Sequence, residues 1–482
     1  MRILFVGSEL TPIAKVGGLG DVMGALPKAL EKLGAQVSIV IPRYGFIPKE
    51  KLKLLATHIE IPLAKTRERI ALRETKLPGS RIRVFLIENH RYFGTGSSPY
   101  YERSAFVGTV KEIQRFAFFS KAVYTLLEAG HLEADIVHAN DWHSGALVTM
   151  LRNQRSKIKN QNIKTVFTIH NLGNQGRWNA EEIDDWFFAR GEKKIFASFR
   201  GEHNFIAEGI MNADFVTTVS PTYAKEILTR AYGAGLEKIL QTRKRNLTGI
   251  LNGIDYDFFN PSRDQFLFKQ YGSANAQSGK VYNKAKLLST LGLADTPRAP
   301  LFGLVSRLTE QKGIDFIVRS LPQFLESRDG IFVFLGRGSP NEEAALRRLE
   351  QRFPGRVFVK IGFDEELAHR IYAASDFFLM PSRFEPSGLG QMIAMRYGTI
   401  PIVRATGGLK DSVRDMKTGV VFTDASAIAL DAAIRRAWEM YTLAPTRFRN
   451  IQNACLRENF DFKKSARAYQ ALYQKILAAG GA

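Results

Sequence analysis

The sequence predicts an α/β protein built from two doubly wound, parallel-sheet domains in tandem. Three observations predict it. Short apolar runs alternate with amphipathic helical stretches through both halves of the chain, the order that yields parallel sheets covered by helices on both faces. A turn-rich segment from Leu251 to Arg263, with Asn252-Gly253 and Asn260-Pro261, separates the two alternating series. A chain of 482 residues exceeds what one core organises, and a hydrophobic content of 45% is enough for two.

The first element is the apolar run Arg2 to Val6, a strand. It leads into Lys15-Val16-Gly17-Gly18-Leu19-Gly20-Asp21 and then a helix over Val22 to Leu33. Strand, glycine-rich turn and helix is an arrangement that brings backbone N–H groups and the positive end of a helix dipole to an anion, and Lys15 adds a full charge beside it. The turn fits neither G-x-G-x-x-G nor G-x-x-x-x-G-K-[ST], so it is not one of the general nucleotide fingerprints. Strands follow at Gln36 to Ile41, Arg81 to Ile87, Asp135 to His138, Lys164 to Ile169 and Phe215 to Val219, with helices between them, notably Val110 to Glu128 and Pro221 to Leu228. The long stretches after Asn89 and Asn171 read as functional loops at strand ends. Beyond the junction a polar stretch, Tyr271 to Tyr282, precedes the second series. Its strands read Leu301 to Val305, Ile331 to Leu335, Val357 to Ile361, Phe377 to Met380, Ile400 to Val403 and Val420 to Phe422. An amphipathic helix over Lys463 to Leu477 comes last. The expected division is 1–250, 263–458 and a C-terminal helical segment, 459–482, with one cleft between the domains facing both sets of strand ends.

Composition narrows the class. The net charge is +21, from 68 Lys and Arg against 47 Asp and Glu. The basic residues form short clusters, at Lys49 to Lys53, Lys157 to Lys164 and Arg243 to Arg245, and no tail; the aromatic signature of an RNA-recognition sheet is absent from the sequence. The charge supports attraction of anions in general. One cysteine, Cys455, excludes an intramolecular disulfide framework and fits a reducing compartment. No apolar run has the length of a membrane span, and Met1 to Val6 is a poor signal peptide. The expectation is a cytoplasmic protein with no membrane and no nucleic acid among its partners.

Several motifs sit at strand ends, where α/β sheets place chemistry. His138-Ala139-Asn140-Asp141-Trp142-His143 contains two histidines, but no H-E-x-x-H and no third ligand, so a metal site is not expected; the bland alternative for Asp141 and Trp142 is a helix cap and a core aromatic. Thr168-Ile169-His170-Asn171-Leu172 ends the next strand. Ser306-Arg307-Leu308-Thr309-Glu310-Gln311-Lys312-Gly313 opens the second domain's first turn, where Arg307 offers a planar donor fork and Lys312 a point charge for phosphate-type oxygens. Gly336-Arg337-Gly338 follows the next strand. Pro381-Ser382-Arg383-Phe384-Glu385-Pro386-Ser387-Gly388-Leu389 places an acidic residue beside a helix start, and Thr406-Gly407-Gly408-Leu409 adds another glycine turn. Asp255-Tyr256-Asp257 matches the D-x-D by which some enzymes bind manganese, but it lies in the junction and reads as turn.

These blocks resemble the bacterial glycogen synthases and plant starch synthases. Ser8-Glu9 with Lys15 to Asp21 is similar to K-[TV]-G-G-L-[AG]-D-V, His138 to His143 to H-x-[HN]-D-W-H, Thr168 to Leu172 to V-H-N-L, Ser306 to Gly313 to S-R-L-x-x-Q-K-G, and Leu251 to Asp255 to L-N-G-[IV]-D. The matches run from Ser8 to Phe462. The resemblance implies the GT-B architecture, two Rossmann-like domains with a catalytic cleft between them and a last helix that crosses back onto the first. It implies retaining transfer of glucose from ADP-glucose to the non-reducing end of an α-1,4-glucan, with no metal and no other cofactor. Lys15, Gly17, Gly18, Asp21, Asn252, Ser387, Gly388 and Leu389 would then bind the donor, and Phe363 would stack on its base. Asp141, His170, Glu385, Arg307 and Lys312 would carry catalysis, with Tyr100 and Trp142 on the acceptor side. The sequence departs from frequent family residues at Val16 (Thr), Asn140 (His), Phe363 (Tyr), Ser387 (Cys) and Gly390 (Thr). Phe363 keeps a stacking ring and loses a hydroxyl; Gly390 leaves only backbone donors near the phosphates. Two other readings stay open on sequence: a transferase of the same fold with a different nucleotide sugar or acceptor, and a non-catalytic glucan- or nucleic-acid-binding protein. Subunit number is not legible.

Overall fold

In the first half the apolar runs predicted as strands are strands buried on both faces, as a parallel strand between helices requires, and an edge hairpin and a short last strand join them. The strands are β1 (Arg2–Val6), β2 (Gln36–Pro42), β3 (Lys53–Pro62), β4 (Arg67–Lys76), β5 (Arg83–Glu88), β6 (Ile136–Asn140), β7 (Lys164–Ile169), β8 (Phe215–Thr218) and β9 (Leu247–Gly249). They form one sheet in the order β9-β8-β7-β6-β1-β2-β5-β4-β3. From β9 to β5 the pairing is parallel; β4 and β3 are antiparallel additions at one edge. The sequence reading placed no strand in 53–76. The edge hairpin carries a charged residue at most outward positions, and only Ile70 and Leu72 of β4 and Ile61 of β3 are fully buried on its inner face.

The computed structural model describes residues 1–94, 106–107, 110–158, 162–189, 191–294, 296 and 299–478. Contacts divide the chain into one unit of Met1–Asn252 with Phe462–Ala482 and another of Gly253–Asp461. Leu251 and Asn252 therefore finish the first unit, while the rest of the turn-rich junction and Asn459–Asp461 belong to the second.

The second unit holds β10 (Leu301–Val305), β11 (Ile331–Gly336), β12 (Val357–Ile361), β13 (Phe377–Met380), β14 (Ile400–Arg404) and β15 (Val420–Phe422), all parallel, in the order β12-β11-β10-β13-β14-β15. In each sheet the chain first winds outward on one side and then resumes on the other. That reversal lies between β1 and β6 in the first unit and between β10 and β13 in the second. At such a switch point neighbouring loops diverge and leave a crevice at the carboxyl ends of the strands.

Five helices position the site or close a core: α1 (Gly18–Lys32), α2 (Ala276–Thr290), α3 (Ile314–Ser327), α4 (Gly390–Arg396) and α5 (Phe462–Ala478). α2 begins inside the polar stretch Tyr271 to Tyr282. Its polar sequence hides two buried lysines that bind inside the fold: Lys280 Nζ donates to Ala373 O at 2.8 Å and Thr399 Oγ1 at 2.7 Å, and Lys284 Nζ pairs with Asp376 at 2.7 Å. α5 packs along α1 and buries Tyr469 and Tyr473 in the first unit's core. Tyr473 OH meets His138 Nδ1 at 2.6 Å, and His138 Nε2 meets Thr168 Oγ1 at 2.5 Å. Burial lowers the His138 pKa to about 3, so it is a neutral core residue. Among the described residues no helix is long and apolar enough to cross a membrane.

Candidate active site

In the first unit, the loops after β1, β6 and β7 emerge side by side because those strands are neighbours. Asp141 follows β6 with φ 55° and ψ −179°, a conformation that costs a non-glycine residue of order 1–3 kcal/mol. Its side chain explains why the strain persists. Asp141 Oδ1 accepts the N–H of His170 at 2.7 Å and, at 3.4 Å, that of Asn171, so it ties the loop after β7 to the loop after β6. Only 6% of Asp141 is exposed, and desolvation, reinforced by the nearby charge of Glu9, pushes its pKa up to about 7. His170 is half-buried; its Nε2 lies 2.9 Å from Asn140 Oδ1, and burial lowers its pKa to about 3. The pair therefore presents a neutral imidazole and a carboxyl group that changes charge near neutrality.

The glycine-rich loop stands beside them, on β1. It folds back on itself through Leu10 and Ala14, and Thr11 N–H donates to Gly20 O at 3.0 Å. Lys15 Nζ lies 2.7 Å from Asp21 Oδ1, and Thr11 Oγ1 reaches the same oxygen at 3.3 Å. Gly17 is the N-cap of α1 and Gly18 its exposed first residue. The buried carboxylate of Glu9 accepts the N–H groups of Val16 at 2.9 Å and Gly17 at 2.7 Å. Trp142 is buried against Phe116, His143 and Gly176. Asn252 is buried at the end of this unit. Tyr100 lies outside the described residues.

In the second unit, β10 and β13 are neighbours, so their following loops meet. Lys312 Nζ lies 2.5 Å from Glu385 Oε2, and Ser382 Oγ donates to the same oxygen at 2.9 Å. Glu385 is 5% exposed. The two loops are knitted elsewhere as well: Arg383 N–H donates to Gln311 O at 2.8 Å, and the Arg383 guanidinium grips Asp315 of α3 at 2.6 Å, which holds the Asp315 carboxyl below its usual range. Arg307 is exposed, 3.1 Å from Gln311 Oε1.

The turn after Glu385 is shaped by close approaches. Gly407 has φ 44°, and a Cβ there would sit 1.9 Å from Glu385 O. That carbonyl accepts Gly408 N–H at 3.0 Å, which locks the two glycine turns together. Gly388 has φ 69°, with the side chain of Gln391 filling the space a Cβ would need. Gln391 Nε2 donates to Ser387 O at 3.0 Å and Gly388 O at 2.9 Å. Both carbonyls are thereby drawn inward. Ser387 is buried, and Leu389 is the N-cap of α4. Sequence reasoning missed Gln391; a buried amide bonded to backbone leaves no spacing signal. Phe363 follows β12 and is 83% exposed, an unusual state for a large ring.

Asp255-Tyr256-Asp257 is a turn. Asp255 Oδ1 accepts the N–H of Asp257 at 2.8 Å, Asp257 pairs with Arg263 at 2.5 Å, and Tyr256 OH accepts Phe460 N–H at 2.8 Å. Among the described residues no group of three or more His, Cys, Asp or Glu is placed to hold a metal ion.

Known proteins share this architecture and much of its sequence. Residues 2–242 match the family described as starch synthase catalytic domain, and residues 294–455 that of glycosyl transferases group 1. A glycogen synthase of Anaeromyxobacter sp. is 40% identical over 488 residues, covering 99% of this chain and 100% of that one. A glycogen synthase of Bacillus subtilis is 39% identical over 495 residues, covering 100% and 99%. In structure, the chain is similar to the catalytic domain of starch synthase IV from Arabidopsis thaliana bound to ADP and acarbose, with TM-score 0.89, 32% identity and 99% of each chain covered. Sucrose-phosphate synthase from Thermosynechococcus elongatus shares the fold, with TM-score 0.63 and 21% identity over 99% of each chain.

Proposed function

The chain belongs to the glycogen synthase and starch synthase family, and from that premise we propose that it elongates an α-1,4-glucan by retaining transfer of glucose from ADP-glucose. The observation that carries this reading is the agreement between full-length kinship and the second unit's switch point, where Lys312, Ser382 and Glu385 converge beside a turn whose carbonyls are pulled inward. Drawing carbonyls in favours N–H groups facing outward, the polarity a diphosphate requires. In this reading the Ser387-Gly388-Leu389 turn, Arg307 and Lys312 take the diphosphate, whose negative charge grows as the glycosidic bond breaks. Glu385 addresses the sugar and releases Lys312 as the anion arrives. Phe363 stacks on the adenine, which explains an exposed ring. From the first unit, Lys15 and Asp21 act on the donor, and Asp141 and His170 border the glucose. His170, neutral at physiological pH, offers a hydrogen bond and no charge. Trp142 and Tyr100 serve the acceptor side, and Asn252 completes the donor contacts.

Arg307 and Lys312 supply the positive charge that a divalent cation supplies in other transferases, so the reaction runs without metal or other cofactor. The protein works in the cytoplasm on a nucleotide sugar and a glucan, with neither membrane nor nucleic acid. The test is glycogen-dependent release of ADP from ADP-glucose, with elongated chains as the product. A pure, folded protein that releases no ADP in the presence of glycogen refutes the reading.

A further inference from the structure

The glycine-rich loop has the ingredients of an anion site: a helix N-terminus, glycines and a lysine. Yet two of its N–H groups are already engaged. Glu9, 4% exposed, sits on the residues that follow β1 and turns a single oxygen, Oε2, onto the N–H groups of Val16 and Gly17, at 2.9 and 2.7 Å. These are the two residues directly after Lys15. A Cβ on Gly20 would lie 3.1 Å from the same oxygen, so the first turn of α1 is moulded around the carboxylate. The loop thus carries its own internal anion, on the backbone groups a phosphate would otherwise take.

We infer that Glu9 is a positioning residue: its carboxylate fills the anion seat at Val16 and Gly17, fixes the backbone that carries Lys15, and keeps free phosphate out of that seat. The inference rests on the proposed function and deepens it. Two tethers then define where Lys15 can reach. Glu9 holds the peptide beyond it, and Asp21 holds its ammonium at 2.7 Å. A donor diphosphate meets Lys15 and the exposed start of α1 at Gly18, and leaves Val16 and Gly17 to Glu9. The loop in this way discriminates for a whole nucleotide sugar and against inorganic phosphate.

The experiment compares the wild type with Glu9→Gln, Glu9→Ala and Glu9→Met. Gln retains an acceptor oxygen and fills the seat without charge; Ala empties it; Met fills the volume without accepting. The readouts are kcat and KM for ADP-glucose, inhibition by inorganic phosphate, and phosphate binding by calorimetry, which needs no turnover. Glu9→Ala is expected to lower kcat at least about tenfold and to make inorganic phosphate bind at least about tenfold more tightly. Glu9→Gln is expected to stay within about threefold of wild type on kcat and to leave phosphate binding weak, because its oxygen still closes the seat. Should Glu9→Ala fail to fold, Glu9→Met carries the kinetic test with the same expected loss of kcat. A folded Glu9→Ala, or Glu9→Met in its place, with kcat unchanged overturns the inference, as does a Glu9→Gln that falls as far as Glu9→Ala. A wild type inactive on ADP-glucose would instead refute the function, while unchanged phosphate binding in Glu9→Ala would separately refute the occupied seat.

Discussion

Asp141→Asn is expected to make the protein more stable above neutral pH and less active. The folded protein holds the Asp141 proton more tightly than an unfolded chain does, because its pKa rises from 3.8 to about 7 on burial. The proton-bound form is thus favoured by folding. That advantage is fully present below pH 4, is lost as pH rises from about 4 to about 7, and above that the ionised carboxylate is a standing cost. A shift of about three units at 1.36 kcal/mol each is about 4 kcal/mol, and with 6% exposure solvent screens little of it. Asparagine cannot ionise, yet its Oδ1 can still accept His170 N–H, now at 2.7 Å, and it suits a positive φ no worse than aspartate. The stability difference between variant and wild type should therefore be near zero at pH 4 and rise to about 4 kcal/mol at pH 8. For a unit of this size that is a melting-temperature difference on the order of 10 °C. Thermal melts of both proteins at half-unit steps from pH 4 to 8 read it directly, because other titrating groups cancel in the difference. Activity measured on the same samples should drop, since the carboxylate borders the proposed sugar site. Parallel melting curves across that range would show that Asp141 is not a desolvated carboxyl, and the argument for its burial would fall.

Three further outcomes are expected. Lys15→Gln removes a charged donor worth roughly 1.5–3 kcal/mol and should lower kcat/KM for ADP-glucose at least about tenfold; unchanged kinetics in a folded variant would take Lys15 out of the site. Gly407→Ala forces a Cβ against the Glu385 carbonyl at a positive φ that alone costs roughly 1–2 kcal/mol, so the melting temperature should fall by several degrees with loss of activity, and an unaltered melt would contradict the tight glycine contact. Turnover should persist in excess EDTA; loss restored by manganese would reopen Asp255 and Asp257 as ligands despite the ion pair of Asp257 with Arg263.

How much could be read in the sequence depends on the job each residue does. Strands such as Ile331–Gly336 are buried along their whole length and leave a continuous apolar run, which nothing else of that length explains. The doubly wound fold was legible for that reason, and so were the loops that end those strands. The edge hairpin Lys53–Lys76 was not, because it faces water and alternates charge with single apolar residues. α2 was hidden because its buried positions include Lys280, Asn283 and Lys284, whose hydrogen bonds replace apolar contacts. Motifs identified Lys15, Glu385 and His170 as residues of interest, but not that Lys15 rests on Asp21 or Lys312 on Glu385. Glu9 was visible as part of a motif without a role. Its action on the N–H groups of Val16 and Gly17 depends on a turn that only the folded loop creates.

The C-terminal helix has a consequence for how the molecule is made. The first unit ends its main run at Asn252, yet its core is finished only by α5, which starts at Phe462. During synthesis the whole of Gly253–Asp461 is made before that helix exists, an interval of roughly ten to forty seconds at about 5–20 residues per second. Until then His138 lacks the Tyr473 hydroxyl, and α1 lacks the helix along its flank. The second unit is contiguous and has no such wait. The native core of the first unit is therefore completed only after every residue of the second has been made. A premature stop before Phe462 would spare the later-made unit and cripple the earlier one.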